Sequence, residues 1–278
     1  MKKTVLSFAF SVLLYSLTIA QINVPAPSQS ASFSQKFGLT EVKVEYSRPG
    51  VKGRKVFGDI VPFGEIWRAG ANEPTKFTTT DSITVAGLGL PKGSYVVLAK
   101  PGATEWEIMF NKNPAASYTN YKAGDDVVSI KVKPIALAQK VESFLISITD
   151  IGFNSCNLEM AWENTLIRIP LTNDVDAKVM AQIKQKNDGP TASEYNAMAR
   201  YYFDNNKDAK AALEFVDKGI NKGGETYGNL WLKSMILAKT GDKKQAIEVA
   251  KKSIEKAKTA NNMDYVRMNE KNIADWSK

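Results

Sequence analysis

The 278-residue chain has no histidine and one cysteine, Cys156. Without histidine there is no Ser-His-Asp or Cys-His activation of a nucleophile, and no histidine-ligated metal. A lone cysteine excludes internal disulfides, thiolate zinc clusters and iron–sulfur centres. Eighteen glycines and eleven prolines are too few for a fibrous or low-complexity chain. Nothing calls for a cofactor or a metal. What remains open is a binding module, or an enzyme relying on Asp, Glu, Lys, Arg, Tyr or Ser.

Long apolar runs are also scarce. Val5–Ala20 is the one extended run, and it is short of the roughly 20 apolar residues that span a bilayer. Lys2 and Lys3 precede it, and Thr18 and Ala20 are small residues suited to positions −3 and −1 of a cleavage site. Residues 1–20 therefore read as a signal peptide cut after Ala20, leaving Gln21 first. No cysteine follows the cut to carry a lipid. The expectation is a periplasmic or secreted protein with no stable membrane anchor.

Blocks of like charge are absent too. Residues 21–171 carry 16 Lys/Arg against 14 Asp/Glu, and residues 172–278 carry 19 against 15. The positive excess is spread thinly, whereas nucleic-acid binders concentrate it in a stripe that releases counterions. Nucleic acid is not an expected partner.

What is present falls into two patterns. From about Ser30 to Thr172 the apolar residues recur with period two. Val42, Val44 and Tyr46 alternate with Glu41, Lys43 and Glu45; Trp106, Ile108 and Phe110 with Glu105, Glu107 and Met109; Cys156, Leu158, Met160 and Trp162 with Ser155, Asn157, Glu159, Ala161 and Glu163. This alternation marks strands with one buried and one wet face. Further strands are expected at 75–80, 82–86, 94–100, 126–133, 141–149 and 165–170, separated by turn signals such as Gly87-Leu88-Gly89 and Pro91-Lys92-Gly93. Many short strands without intervening helices predict an antiparallel β-sandwich or barrel over residues 21–172. Cys156 shares the apolar side of its strand and reads as a buried small hydrophobe.

Beyond Pro170 the period becomes 3.6. Asp174–Lys186 reads as a helix capped by Asn173, ending before Gly189-Pro190. Lys207–Lys222 then matches Gly241–Lys256, 34 positions on, at seven of 16 positions, among them Asp208/Asp242, Ala212/Ala246 and Ile220/Ile254. A 34-residue period with small residues where paired helices touch is the tetratricopeptide signature. The first unit has Asn205-Asn206 where the second has Gly241. Residues 173–278 are thus expected to form an α-helical tetratricopeptide-like hairpin stack, capped by the 174–186 helix and a last helix at 262–276. The whole is α+β in two domains, and the helical tail is expected to engage a protein partner.

The densest unusual chemistry lies in Ser47–Thr75. These 29 residues hold five glycines, three prolines, three arginines and a tryptophan with little alternation. A loop of that length is usually functional or disordered, and Val56, Phe57, Ile60, Val61, Phe63, Ile66 and Trp67 require burial. Arg48, Arg54, Trp67, Arg68, Asn72 and Glu73 are the candidate ligand-binding residues. Arginine's planar fork suits carboxylate or phosphate, and a tryptophan face stacks on a sugar or cation. A structural alternative has the arginines pinning the loop and Trp67 in the core. Lys52-Gly53-Arg54 lacks the spacing of a phosphate-cradling loop.

The run Tyr46-Ser-Arg-Pro, Lys52-Gly-Arg, Phe57-Gly, Val61-Pro-Phe-Gly, Trp67-Arg and Gly70-Ala-Asn-Glu-x-Thr75, continued by Pro91-x-Gly-x-Tyr95, Trp106 and Asn111, resembles domain-of-unknown-function family 2911 over about residues 25–150. The resemblance implies an exported, β-rich bacterial protein, often with a tetratricopeptide-like tail. It brings no activity and no catalytic residue.

The resulting expectation is an exported cell-envelope binding or scaffold protein, with a small anionic or glycan ligand on the β-domain. The alternative is a glycan hydrolase using two carboxylates roughly 5–9.5 Å apart, with Glu65 and Glu73 the pair and Asp59 third. A purely structural assembly protein would lack any pocket.

Overall fold

The computed structural model describes residues 24–186 and 189–278; the expected signal peptide lies outside the described residues. They fall into two compact units, one running to Val175 and the other beginning at Asp176.

The first unit contains β1 (Gln29–Phe37), β2 (Thr40–Arg48), β3 (Thr75–Thr79), β4 (Ile83–Val85), β5 (Leu88–Leu90), β6 (Gly93–Lys100), β7 (Trp106–Asn111), β8 (Asp126–Val132), β9 (Ile135–Thr149) and β10 (Ser155–Thr172). They form a six-stranded sheet, β1-β2-β3-β6-β7-β8, and a four-stranded sheet, β5-β4-β10-β9. Every pairing between them is antiparallel. Each sheet keeps two edges, so the barrel alternative is not realised. Instead, the two sheets share one core. Val44, Phe77, Val97 and Phe110 from the first meet Ile146, Leu158 and Ile169 from the second. The alternation of β2 explains its place: Val44 pairs opposite Phe33 and Tyr46 opposite Ala31 on the inner side, while Lys43 and Glu45 face Ser34 and Ser32 on the outer side.

Three expectations about this unit need correction. The segments 155–163 and 165–170 are one strand, β10. Its register against β9 shifts on either side of Glu163, whose φ is +53°, and this bulge breaks the alternation without ending the strand. Leu88-Gly89-Leu90, which overlaps the expected turn Gly87-Leu88-Gly89, pairs with β4 as a short strand. Met109 was expected on a wet face and is fully buried. It packs with Val96, Leu98 and Ala116, and with Ile66 and Tyr121, in a second small cluster. That cluster lies on the outer side of β6 and β7, so the segment carrying Ala116 and Tyr121 covers the middle of the sheet. Cys156 is buried, and burial pushes its thiol up to about 11.

The second unit holds α1 (Val175–Gln185), α2 (Ala192–Asp204), α3 (Ala209–Gly223), α4 (Tyr227–Thr240), α5 (Lys243–Thr259) and α6 (Met263–Trp276). Asn173 does not cap α1. The helix starts at Val175, and the Asn173 amide donates to the Phe37 carbonyl at 2.8 Å. The other starts are locally specified: Thr191 and Thr226 form capping boxes with Glu194 and Asn229, and Asp208 and Asp242 accept from the first turns of α3 and α5. Helix α4 ends on Gly241 at φ +97°. After α2 the left-handed residue is Asn206 at φ +53°, two positions past the helix and one before Lys207, which aligns with Gly241. Asparagine tolerates the left-handed region, so the turn forms without glycine.

Helices α1, α3 and α5 begin at residues 175, 209 and 243, 34 apart each time. Where α3 and α5 cross their partners the residues are small. Ala212 and Ala246 are fully buried. At Gly219 an added Cβ would lie 2.6 Å from Asn196 Oδ1 and 3.2 Å from the Ala192 carbonyl. The matching Ser253 donates to the Tyr227 carbonyl at 2.7 Å.

Candidate functional site

The segment between β2 and β3 is ordered chiefly by its backbone. Phe144 N–H donates to the Pro49 carbonyl (2.9 Å) and Val51 N–H to the Glu142 carbonyl (2.8 Å), tying its start to β9. Val61 N–H returns to Val56 and Gly58 N–H to Val61, both at 2.9 Å, forming a tight turn. Gly58 sits there at φ +85°, and a Cβ would meet the Phe63 ring at 2.7 Å, so this position is restricted to glycine. Trp67 then exchanges both backbone hydrogen bonds with Ala99 of β6, at 2.7 and 2.8 Å.

Four of the seven apolar residues expected to need burial receive it fully, namely Val56, Phe57, Val61 and Trp67. The Trp67 indole is 9% exposed. It stacks on Trp162 at 5.8 Å, meets Phe57, Trp106 and Phe144 edge-on at 5.2–6.3 Å, and donates its N–H to the Gly70 carbonyl at 2.9 Å. Its position is that of a core residue. Ile66 is half-buried in the outer cluster. Ile60 and Phe63 correct the expectation, at 38% and 46% exposed, because the tight turn carries them to the surface.

The arginines divide. Arg48 Nε donates to the Phe144 carbonyl at 3.0 Å. Arg54 folds back on its own turn, to the carbonyls of Val51 (3.1 Å) and Gly50 (2.9 Å). Both act as clamps on the start of the loop. Asn72, at φ +55°, donates to the Ser28 carbonyl at 3.0 Å and the Ser47 hydroxyl at 3.4 Å. Arg68 differs. Its Nη1 donates to the Asn72 carbonyl, and its guanidinium lies 4.7 Å over the Tyr118 ring.

Tyr118 is the residue that sequence reasoning missed. Fifty positions from Arg68, it sits on a loop fixed by side-chain caps. Fully buried Asn111 donates to Asp126 Oδ1 at 2.7 Å and accepts from Asn113 N–H at 2.9 Å. Asn120 accepts from Ser117 N–H and donates to the Ala115 carbonyl, at 2.8 and 2.9 Å. Tyr121 donates to Asp126 Oδ2 at 2.5 Å. Burial first, and Asp126 second, push its phenol well above the usual range.

Between these two loops opens a cleft of about 360 Å³, lined by Ile60, Val61, Pro62, Glu65, Ile66, Trp67, Arg68 and Tyr118. Tyr118 is 57% exposed. A second cleft, about 350 Å³, is lined by Ser30, Ser32, Glu45, Ser47, Glu73 and Lys76 among others. The six expected binding residues are thus not brought together. Trp67 and Arg68 line the first cleft, Glu73 the second, and Arg48, Arg54 and Asn72 brace the loop. Glu65 and Glu73, the expected carboxylate pair, line different clefts, and Asp59 is exposed on the tight turn. Among the described residues no group of three or more Asp, Glu, Cys or His is placed to hold a metal, and no helix is long and apolar enough to cross a membrane.

Fold and site together define an α+β protein in which a two-sheet unit bears shallow clefts on its connecting loops and a six-helix unit follows. The chain belongs to the DUF2911 family of proteins of unknown function, whose family model matches residues 28–171, just over half of the sequence. Comparison with the curated proteins and with the solved structures returned no match.

Proposed function

We propose that the protein is an exported binding protein of the cell envelope, whose β-unit holds a small anionic ligand and whose helical unit engages a partner protein. The observation that carries the ligand half is the state of Arg68. Tyr118 and the Asn72 carbonyl fix its guanidinium, yet Nε and Nη2 make no hydrogen bond within the described residues. A preorganised fork with free donors, at a cleft with apolar walls, is suited to an oxyanion. Arg48 and Arg54 spend their donors on carbonyls and are not part of this reading.

The helical half is read as tetratricopeptide-like. The 34-residue spacing supports this, as does Tyr195-x2-Met198-Ala199-x2-Tyr202 followed by Ala212-x3-Val216, which follows the Trp-x2-Leu-Gly-x2-Tyr and Ala-x3-Phe pattern of such repeats. A signal peptide at residues 1–20 accounts for export. A glycan ligand would fit the second cleft better, because three serine hydroxyls and two carboxylates line it.

The test is a thermal-shift and calorimetric screen of small carboxylates, phosphates and sugars against the protein and two variants. A ligand at 100 times its dissociation constant raises stability by about 2.7 kcal/mol. The expected result is a carboxylate whose effect is lost in Arg68→Ala and kept in Arg54→Ala. Equal loss in both variants, or no shift from any anion, would overturn the reading.

A further inference from the structure

The Arg68 cleft contains a second charge that the anion reading does not use. Glu65 lines it beside Arg68, is exposed, and joins no ion pair among the described residues, although a guanidinium with free donors sits three positions along the chain. A single negative charge in the same cleft disfavours phosphate and other multivalent anions, since like charges at close range repel. The remaining walls, Ile60, Val61, Pro62 and Ile66, offer an apolar surface rather than hydrogen-bond partners for a sugar. Ile60 and Tyr118 are 38% and 57% exposed at the rim. At about 360 Å³, the space is at the low end of ligand pockets, which run from about 300 to 1,000 Å³.

From this balance of one free cation, one free anion and apolar walls, we propose that the cleft takes a small zwitterion with an apolar body: a free amino acid with an aliphatic side chain, or the equivalent short peptide. Its carboxylate meets the free edge of the Arg68 guanidinium, its ammonium meets the Glu65 carboxylate, and its side chain lies against Ile60, Ile66 and the Tyr118 ring. This rests on the reading of Arg68 as an anion anchor and adds the ammonium to it.

Three probes separate the parts: L-leucine, N-acetyl-L-leucine, which has no ammonium, and L-leucinamide, which has no carboxylate. Titration calorimetry with the whole protein is expected to give the tightest binding for leucine, with each analogue weaker by about tenfold or more, the scale of one lost charge-assisted hydrogen bond. Glu65→Gln is expected to weaken leucine to the level of N-acetyl-leucine while leaving N-acetyl-leucine unchanged. Arg68→Ala is expected to abolish both, and Arg54→Ala, with its donors on the backbone, to change neither. If N-acetyl-leucine binds as well as leucine and Glu65→Gln has no effect, the zwitterion proposal fails while the anion anchor stands. If leucinamide equals leucine, or if none of the three binds at millimolar concentration, both fail.

Discussion

In the segment between β2 and β3, several of the partners that hold it lie far along the chain. Arg48 reaches Phe144, 96 positions away, and Val56 N–H reaches the Glu163 carboxylate, 107 positions away. In the helical unit the capping partners sit three positions apart, Thr191 with Glu194 and Thr226 with Asn229, and the packing recurs every 34 residues. The bonds from Arg48 and Val56 tie the first region to β9 and β10. The second carries its helix starts in residues that lie next to them along the chain. Within that segment Arg48 and Arg54 spend donors on carbonyls, whereas Arg68 keeps Nε and Nη2 without a hydrogen bond among the described residues.

The largest effect that would break or sharpen this contrast is expected from Trp67→Ala. Trp67 joins the loop to Phe57, Trp106, Phe144 and Trp162, and truncating a buried aromatic costs about 3–5 kcal/mol. In a Trp231→Phe/Trp276→Phe background, where only the first unit carries tryptophan, the fluorescence transition should fall to markedly lower temperature or denaturant, while the helical ellipticity keeps its midpoint. A common shift of both signals would mean that the two regions do not unfold separately.

A smaller effect is expected in the helices from Gly219→Val. The added Cβ would crowd Asn196 Oδ1 and the Ala192 carbonyl, and overpacking costs about 1–3 kcal/mol. The helical midpoint should fall and the fluorescence transition should stay. A variant as stable as the parent would show that α2 and α3 can move apart, and would undermine the reading of Gly219 and Ser253 as equivalent crossing points.

How much of this was legible in the sequence follows the same division. The alternation of β2, β7 and β10 gave the sheet content, because period two survives wherever one face is buried. It misled at Met109, whose outer face is covered by a loop 112–123 that no local pattern connects to it, and at Glu163, where a bulge imitates a strand end. Of the helices, α1 and α6 were legible to within a residue at each end, since the 3.6 period is local, whereas the sequence reading set no bounds for α2 and α4. At the candidate site, composition pointed to the segment 47–75 and to six of its residues, of which Trp67 and Arg68 line one cleft. The clamping roles of Arg48 and Arg54 were visible only as an alternative, because their acceptors are backbone carbonyls, which carry no residue signature. Tyr118 was not legible at all: one exposed tyrosine in a Ser/Asn-rich turn has no signal until the fold brings it over Arg68.

The smallest expected effect tests whether helix starts are as local as the comparison holds. The Glu194 carboxylate accepts twice at the start of α2. One oxygen takes the Lys186 ammonium and the other the Thr191 N–H at 2.7 Å, while Thr191 Oγ1 takes the Glu194 N–H at 3.2 Å. The Lys186 hydrogen bond first, and those from Thr191 next, hold the Glu194 carboxyl down to about 2, from an ordinary value of 4.5. A group with a lowered folded-state value binds its proton more readily when unfolded. Its contribution is therefore full above the ordinary value and is lost as pH falls through the folded one, a window of roughly 4.5 down to 2. Both partners are at the surface, where solvent screens them, so the change should be small. The helical melting midpoint of the parent should decline more steeply across that window than that of Glu194→Gln, and the two should run parallel above it. Parallel curves through the whole range would mean that the start of α2 is set by packing against α3 and not by its own cap, and the local side of the comparison would lose its clearest example.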